Sequence, residues 1–249
     1  MNLRRTKIIA TLGPATDETD MLNLLLCAGV DLVRLNFSHG SVKDHQRRVE
    51  NVRAYSKAMQ REIGIIADLQ GPKIRITQFK QNKIQLVEGQ KFILDATLDD
   101  KAGDENQVGL DYKELPNDVT KGDKLLLDDG RIVLSVLEVR EKQVICFVET
   151  GGELSNNKGL NRLGGGLSAK SLTAKDEQDL RTAIELGVDY LAISFPRSAE
   201  DILYARQLVE NAKGKVAIMA KIERKEAIDA IEEIIQVSDA IMIARGDLG

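Results

Sequence analysis

Polar side chains of types that take part in catalysis or ligand binding lie close together in the sequence near residue 35. Arg34, Asn36 and Ser38 alternate there with Leu35 and Phe37. Successive side chains of a β-strand point to opposite faces, so the three polar groups are expected on one face. The flanking run is apolar, which favours a buried strand with these groups turned inward over a strand on the protein surface.

Lys221 and Glu223 share a strand face in the same way, with Ile222 between them. Two interpretations of this pair stay open. It is a structural ion pair, or the carboxylate holds a divalent metal while the ammonium faces an oxyanion. Asp247 follows Gly246 at the next strand end, and as a second hard oxygen ligand of a Mg²⁺ site it favours the metal interpretation.

Cations from several parts of the chain are expected around this metal and a phosphate. Such a set suits phosphoryl transfer, in which positioning and charge stabilisation do most of the catalysis. The run 164–166 (GGG) lacks the Gly-Lys-Ser/Thr that completes a Walker A motif, and a flexible hinge is expected there instead. The cations are Arg34, Lys73, Arg75, Lys158 and Lys221.

These polar residues follow apolar segments that recur along the chain. The segments in the last third are spaced by about 25 residues, which fits one strand, one helix and two short loops. The same unit occurs near the start of the chain, so βα repetition is predicted. The six strand centres are Ile9, Leu35, Ile66, Ile193, Ile218 and Ile243.

Helix signals precede two of the predicted strands. Gly29 and Gly187 stand where a helix ending in the left-handed conformation needs glycine. Thr173 is expected to cap the helix before Gly187, and Thr16 or Asp17 the helix before Gly29.

The repetition is interrupted between Ile66 and Ile193 by about 100 extra residues. Short β-rich segments separated by turn residues occupy 74–149, which predicts a small all-β domain inserted in a loop. The predicted limits are 1–72 and 167–249 for the repeating domain and 73–166 for the inserted one. Its predicted strands are 84–87, 125–127, 132–139 and 144–148.

Consecutive right-handed βα units form either an open doubly wound sheet or a closed (β/α)₈ barrel. Their regular spacing favours the barrel. Six units are present where closure needs eight, so the predicted fold is α/β, a (β/α)₈ barrel truncated after the sixth strand.

Composition narrows the class of protein. The chain has 249 residues and a formal net charge of −4, with no basic block that could follow a nucleic-acid backbone. No apolar run approaches the ~18 residues that a membrane span needs, so a cytoplasmic enzyme is expected. Cys27 and Cys146 lack the neighbours of a zinc site, and both are expected to pack among apolar residues.

The chain resembles the N-terminal half of the pyruvate kinases. The similar segments are TKIIATLGPAT at 6–16, VRLNFSHG at 33–40, GPKIR at 71–75, NKG at 157–159, KIE at 221–223 and ARGDLG at 244–249. The resemblance implies a barrel whose inserted β domain is a mobile lid. It also implies transfer of the phosphoryl group of phosphoenolpyruvate to ADP, giving pyruvate and ATP, in a homo-oligomer that is commonly a tetramer.

The same resemblance assigns roles to individual residues. Lys221 would stabilise charge on the migrating phosphoryl group, and Glu223 with Asp247 would bind Mg²⁺ or Mn²⁺. Arg34, Lys221 and the Gly246-Asp247 backbone would hold the three-carbon substrate. The nucleotide would face Asn36, Phe37, Ser38, His39, Arg75 and Lys158.

A K⁺ site is also implied, at Asn36, Ser38, Asp68 and Leu69. Many relatives that require K⁺ have Asp-Thr-Lys-Gly-Pro-Glu where this chain has DLQGPK at 68–73. Lys73 thus replaces a glutamate and Leu69 a threonine. Because the Lys73 ammonium could occupy or neutralise the K⁺ region, the chain is predicted to be of a K⁺-independent type.

The family's last two barrel strands and its C-terminal domain would lie beyond residue 249. Exposed strand edges would then favour association, and negligible kinase activity is expected of this polypeptide alone. Two other hypotheses remain. One is a metal-dependent aldolase acting on pyruvate enolates, although such barrels lack the β insertion, and the other is a non-catalytic fragment.

Overall fold

Strands and helices alternate in the first part of the chain. The computed structural model of the protein describes residues 4–245. A short 3-10 turn, Pro14–Thr16, follows the first strand. The main elements of this part are β1 (Ile9–Leu12), α1 (Thr19–Cys27), β2 (Leu32–Asn36), α2 (Val42–Met59) and β3 (Gly64–Asp68).

The middle part consists mainly of short strands. One helix of four residues, α3, interrupts them. The elements are β4 (Lys83–Leu86), β5 (Lys91–Asp95), β6 (Gln107–Gly109), α3 (Leu115–Asp118), β7 (Lys124–Leu127), β8 (Ile132–Arg140), β9 (Gln143–Thr150), β10 (Gly152–Ser155) and β11 (Leu160–Arg162).

Alternation of helices and strands resumes in the last part of the chain. Its elements are α4 (Ala174–Glu185), β12 (Tyr190–Ile193), α5 (Ala199–Asn211), β13 (Ala217–Ile222), α6 (Lys225–Asp229), α7 (Ile231–Val237) and β14 (Ala240–Ile243).

Contacts divide the chain into two compact units. The first contains the residues up to Pro72 and those from Lys170 onward, and the second is Lys73–Ala169. In the first unit the strands form one parallel sheet in the order β1-β2-β3-β12-β13-β14. The α/β class and the six predicted strands are therefore confirmed. Among residues 4–245, no helix is long and apolar enough to cross a lipid bilayer.

The two faces of this sheet have different partners. Val33, Leu35, Ile65 and Ile218 are fully buried in a core shared with helix residues such as Leu180. The opposite face carries a second, smaller apolar cluster. It contains Ile66, Ala192 and Met219, with Leu32, Tyr190, Ala240 and Met242 packed against it. Alternation along each strand therefore separates a helix-facing side from a side on which the polar residues near the strand ends can meet.

One of the two helix caps is as predicted. The Thr173 hydroxyl accepts a hydrogen bond from the Asp176 N–H at the start of α4. Helix α1 instead begins after Glu18, which makes no side-chain cap, so the expectation for Thr16 or Asp17 was wrong. Asp17 binds a side chain of α2 instead, which local capping patterns do not reveal.

The second unit has its own apolar core and two sheets. A six-stranded sheet has the order β11-β7-β8-β9-β5-β6, and β4 pairs with β10. Strands β4, β7, β8 and β9 correspond to predicted segments. Strands β5, β6, β10 and β11 were missed, and β6 and β11 have only three residues each, too few for an alternation to be told from a loop.

The two cysteines differ in environment. Cys146 is fully buried in the second unit, and burial raises the pKa of its thiol to about 12. Cys27 is exposed, and its Sγ lies 3.2 Å from the Tyr55 hydroxyl. The prediction of apolar packing therefore holds for Cys146 and is wrong for Cys27.

An aspartate precedes three strands of the parallel sheet and ties each to the strand before it. Asp31 accepts a hydrogen bond from the Ile8 N–H, Asp189 from Ile65 and Asp239 from Ile218, each at 2.7 Å. An arginine pairs with each carboxylate, and the three arginines are Arg4, Arg53 and Arg206. The same contact thus joins three pairs of neighbouring strands in the sheet.

Replacing Asp189 tests the contribution of this contact to stability. Asp189→Ala removes a carboxylate that accepts from the Ile65 N–H at 2.7 Å and from Arg53 at 3.0 Å. We expect the free energy of unfolding to fall by about 1–2 kcal/mol, measured by urea denaturation. Glu210→Ala, at an exposed position of α5, is the matched control and should change it little. Equal effects of the two substitutions would contradict a stabilising role for Asp189.

Candidate active site

Asp68 lies at the centre of the polar residues at the strand ends. It is the last residue of β3, and only 1% of its surface is exposed. Its Oδ2 accepts hydrogen bonds from Arg34 Nε at 2.6 Å and contacts Arg34 Nη2 at 2.5 Å. Its Oδ1 lies 3.1 Å from Lys221 Nζ. One buried carboxylate therefore holds two cations from two different strands.

Among residues 4–245, the ammonium of Lys221 has three close acceptors. Besides Asp68, these are Glu223 Oε1 and Ser194 Oγ, each at 2.8 Å. An ammonium has three N–H donors, so the three contacts can use all of them. The ion pair between Lys221 and Glu223 considered from the sequence is thus present. The pair is compatible with the metal interpretation. A phosphate oxygen can replace a carboxylate beside Lys221, and a metal ion can replace the ammonium beside Glu223.

Glu223 is held by the chain that follows β12. It is 3% exposed, and its Oε2 accepts a hydrogen bond from the Phe195 N–H at 2.8 Å. Phe195 has φ of 54°, the left-handed region that bulky residues rarely adopt. Its ring lies 5.2 Å from the guanidinium carbon of Arg224.

Ser194 and Phe195 were not among the predicted site residues. A signal for Ser194 was available, because it continues the alternation of Tyr190 and Ala192 onto the face that carries the polar cluster. No local pattern indicates that the Phe195 N–H would reach a carboxylate 28 positions away in the sequence.

Arg34 combines a buried contact with partial exposure. Its Nη1 donates to Thr11 Oγ1 at 3.0 Å, and its side chain remains 27% exposed. By contrast, the side chain of Lys221 is 10% exposed. Arg34 is therefore the more accessible of the two cations for a ligand that arrives from solvent.

A cavity of about 490 Å³ lies beside the segment that follows β2. Asn36 and His39, both predicted to face a nucleotide, belong to its lining. Thr11, Gly13 and Pro14 line it from the turn after β1. This volume falls within the range typical of small-ligand pockets.

A partly buried ion pair forms one wall of this cavity. Arg48 of α2 donates to both carboxylate oxygens of Asp17, at 2.6 and 2.8 Å. This pairing holds the pKa of Asp17 below its usual range. The pair joins the turn before α1 to α2 and fixes the cavity wall, and neither residue was predicted to belong to the site.

The segment 36–40 is supported from α2. The Phe37 ring stacks on buried His45 with centroids 4.3 Å apart. The Asn36 side-chain oxygen accepts from the Ser38 N–H at 3.0 Å, which closes a local turn. Phe37 thus packs in the core, while Asn36 and His39 line the cavity.

Arg75 and Lys158 belong to the second unit and are neighbours there. Arg75 is bridged to Gly159 in antiparallel fashion, and the Ile76 N–H donates to the Lys158 carbonyl at 3.0 Å. Lys158 Nζ also pairs with Asp128 Oδ1 at 2.6 Å. These contacts bring the backbones of the two segments that carry Arg75 and Lys158 together.

The predicted binding site for the divalent metal lies only partly within the described residues. Gly246 and Asp247 lie outside the described residues. Within residues 4–245, no group of three or more His, Cys, Asp or Glu side chains is arranged to hold a metal. The carboxylate of Glu223 is nevertheless a hard oxygen donor of the kind Mg²⁺ binds, so the donor chemistry fits a site completed by Asp247.

The residues of the implied K⁺ site already have protein partners. Both Asp68 oxygens contact cations, and the carbonyl of Leu69 accepts from Ser194 Oγ at 2.6 Å. Leu69 itself is 1% exposed, whereas Asn36 and Ser38 are half-buried. Lys73 is half-buried at the start of the second unit.

Comparison with known proteins adds a decisive observation. The family model described as pyruvate kinase, barrel domain, matches residues 3–249. The chain belongs to the pyruvate kinase family. Pyruvate kinase II of Salmonella typhimurium is 54% identical over 99% of this chain and 52% of its own length. Pyruvate kinases of Haemophilus influenzae and Mycobacterium intracellulare are 53% and 43% identical, with the same coverage of each chain.

The chain therefore spans about half the length of the curated relatives it matches. As a pyruvate kinase family member it carries Arg34, Asp68, Lys221 and Glu223 in one network of contacts. That network joins segments 33–40 and 221–223, which are far apart in the sequence.

Replacing Asp68 tests whether the network depends on its charge. Asp68→Asn leaves buried Lys221 and partly buried Arg34 with less compensating charge, so we expect the free energy of unfolding to fall by about 3 kcal/mol. Asp129→Asn makes the same chemical change at an exposed position and should have little effect. Urea denaturation compares the two. If Asp68→Asn were as mild as Asp129→Asn, Asp68 would not be the counter-charge of the site.

Proposed function

We propose that the protein carrying this chain transfers the phosphoryl group of phosphoenolpyruvate to ADP, giving pyruvate and ATP in glycolysis. Membership of the pyruvate kinase family over residues 3–249 is the observation that carries this proposal. The joining of Arg34 and Lys221 by buried Asp68 supports it, because two cations near each other suit a substrate with a phosphate and a carboxylate.

In the proposed reaction the bond between phosphorus and the enol oxygen breaks, and a bond forms between phosphorus and a β-phosphate oxygen of ADP. The enolate that remains takes up a proton and becomes pyruvate. Lys221 would stabilise the negative charge on the phosphoryl group during transfer, after exchanging one carboxylate partner for a phosphoryl oxygen. Arg34 would hold the three-carbon substrate with Gly246 and Asp247.

Glu223 and Asp247 would hold the divalent ion, Mg²⁺ or Mn²⁺. When bound, this ion neutralises charge on the phosphates and orients them. The Phe195 N–H contributes by fixing the direction of the Glu223 carboxylate.

The nucleotide would occupy the cavity beside segment 36–40. Asn36 and His39 of the cavity lining would face it, together with Ser38 of the same segment, and the stacking of Phe37 on His45 supports this segment. Arg75 and Lys158 would bind nucleotide phosphates. The bridge between Arg75 and Gly159 supports this assignment, because it places the backbone of Arg75 beside the residue that follows Lys158.

The proposal extends to the architecture of the whole protein. The six βα units would belong to a (β/α)₈ barrel, with the predicted domain 73–166 inserted after the third strand as an all-β lid. We further propose a cytoplasmic homo-oligomer. Family membership favours this enzyme over the aldolase considered from the sequence.

Substitution of Lys221 tests the proposed reaction. In the full gene product that contains these 249 residues, Lys221→Met should reduce kcat by at least ~100-fold, because the neutral side chain cannot stabilise phosphoryl charge. Formation of pyruvate from phosphoenolpyruvate and ADP is the measurement. Lys215→Met, at an exposed position, is the matched control and should retain normal activity. Pyruvate formation at the normal rate by Lys221→Met would contradict the proposal, as would carbon–carbon cleavage of a hydroxy acid without phosphoryl transfer.

We also propose that this protein does not require K⁺. The Asp68 carboxylate already has Arg34 and Lys221 as counter-charges, and Lys73 supplies a further ammonium to the segment where relatives that require K⁺ have glutamate. Full activity is therefore expected in a tetramethylammonium buffer free of K⁺ and Na⁺.

Lys73→Glu should create a requirement for K⁺, because it replaces a fixed cation with an anion. Activity of the full gene product, titrated with KCl, is the measurement, and Lys215→Glu controls for the change of net charge. Strong activation of the unsubstituted protein by KCl would overturn this prediction.

A further inference from the structure

Ser194 directly follows β12 and is only 2% exposed. Its hydroxyl donates to the Leu69 carbonyl at 2.6 Å and accepts from Lys221 Nζ at 2.8 Å. A hydroxyl has one proton, so the short bond to Leu69 directs its lone pairs toward the ammonium. The alternative contact with Asp68 Oδ1 is longer, at 3.4 Å. The Leu69 carbonyl therefore determines how Ser194 faces Lys221.

The backbone around Ser194 is fixed by close packing. A Cβ added to Gly71 would lie 2.8 Å from the Ser194 Cβ, and Gly71 has φ of 67°. Only glycine adopts this conformation at so close an approach without strain. The Gly71 N–H is bound by buried Asp176 at 3.0 Å, and the Leu69 N–H donates to the Ala192 carbonyl at 3.0 Å. Contacts from two segments thus hold the Ser194 hydroxyl in place.

The next residue, Phe195, has a backbone conformation that bulky residues disfavour. Phe195 has φ of 54°, a left-handed conformation that persists in a bulky residue only where surrounding contacts impose it. In this conformation its N–H donates to Glu223 at 2.8 Å. Neighbouring groups of one turn therefore hold both Lys221 and Glu223.

We propose that Ser194 is a positioning residue that sets the direction of the Lys221 ammonium. This inference rests on the proposed role of Lys221 in phosphoryl transfer. Without the hydroxyl, the ammonium keeps the Asp68 and Glu223 carboxylates as its partners among the described residues and moves toward them on its flexible four-carbon stem. Displacement of a catalytic group by about 1 Å can reduce a rate by ~100-fold.

The test compares substitutions at Ser194 in the full gene product. Ser194→Ala should reduce kcat by at least ~10-fold and change the KM for ADP by less than ~2-fold, because only the reacting end of the site is disturbed. Ser194→Thr keeps a hydroxyl and should restore most of kcat. Ser194→Cys, of similar shape but with a weak acceptor, should resemble Ser194→Ala and provides a second variant if the alanine form does not fold.

Ser238→Ala is the matched control. The Ser238 hydroxyl also donates to a carbonyl, that of Ile234 at 2.7 Å, but belongs to the turn after α7. It should leave kcat unchanged, with Tm recorded for every variant. Normal kcat in Ser194→Ala or Ser194→Cys, or losses that follow Tm and are not rescued by threonine, would overturn the inference.

Lys221→Met separates the inference from the function on which it rests. If Lys221→Met is inactive and the alanine and cysteine variants of Ser194 are normal, only the positioning role fails. If Lys221→Met is fully active, the proposed role of Lys221 fails as well.

Discussion

Burial of the Asp68 carboxylate is the constraint on which the site depends. A buried charge is strongly unfavourable unless it is paired and hydrogen-bonded. Arg34 and Lys221 meet this requirement from strands on either side of β3, with β12 between β3 and β13. The parallel sheet brings these residues together, because it places the carboxyl ends of strands that are distant in sequence on the same side of the molecule. The charge of Asp68 thus holds two cations together, at the position where we propose that the anionic substrate binds.

Further hydrogen-bond and ion-pair partners then fix the orientation of the Arg34 and Lys221 side chains. Thr11 holds the far end of Arg34, whereas Ser194 and Glu223 hold Lys221. Glu223 is itself fixed by a backbone N–H from a residue in a strained conformation. Each charged group is therefore bound by at least one neutral or backbone partner whose position is set by packing. Preorganised polar groups of this kind are the main source of charge stabilisation in phosphoryl transfer.

The sequence was most informative where its patterns are local. Apolar segments at a regular spacing located the strands of the parallel sheet, and period-two alternation placed Arg34 and Asn36 on one face. The capping pattern of Thr173 was equally reliable. The residues that resemble a known family also joined distant segments into one hypothesis, which spacing alone could not do.

Contacts between distant residues could not be predicted in this way. Nothing local indicates that Asp17 would bind Arg48 rather than cap α1, or that Cys27 would be exposed. The same holds for Phe195, whose role depends on a backbone angle and a partner on another strand. Short strands such as β6 and β11 are stabilised by pairing within the sheet, so their three residues contain little signal of their own.

The most direct test of the central claim is a crystal structure of the full gene product with Mg²⁺ and phosphoenolpyruvate. The Asp68 network predicts that the Arg34 guanidinium and the Lys221 ammonium both contact the ligand, with Glu223 and Asp247 on the metal. Binding of the ligand elsewhere, with the contacts of Arg34 and Lys221 to Asp68 undisturbed, would contradict it.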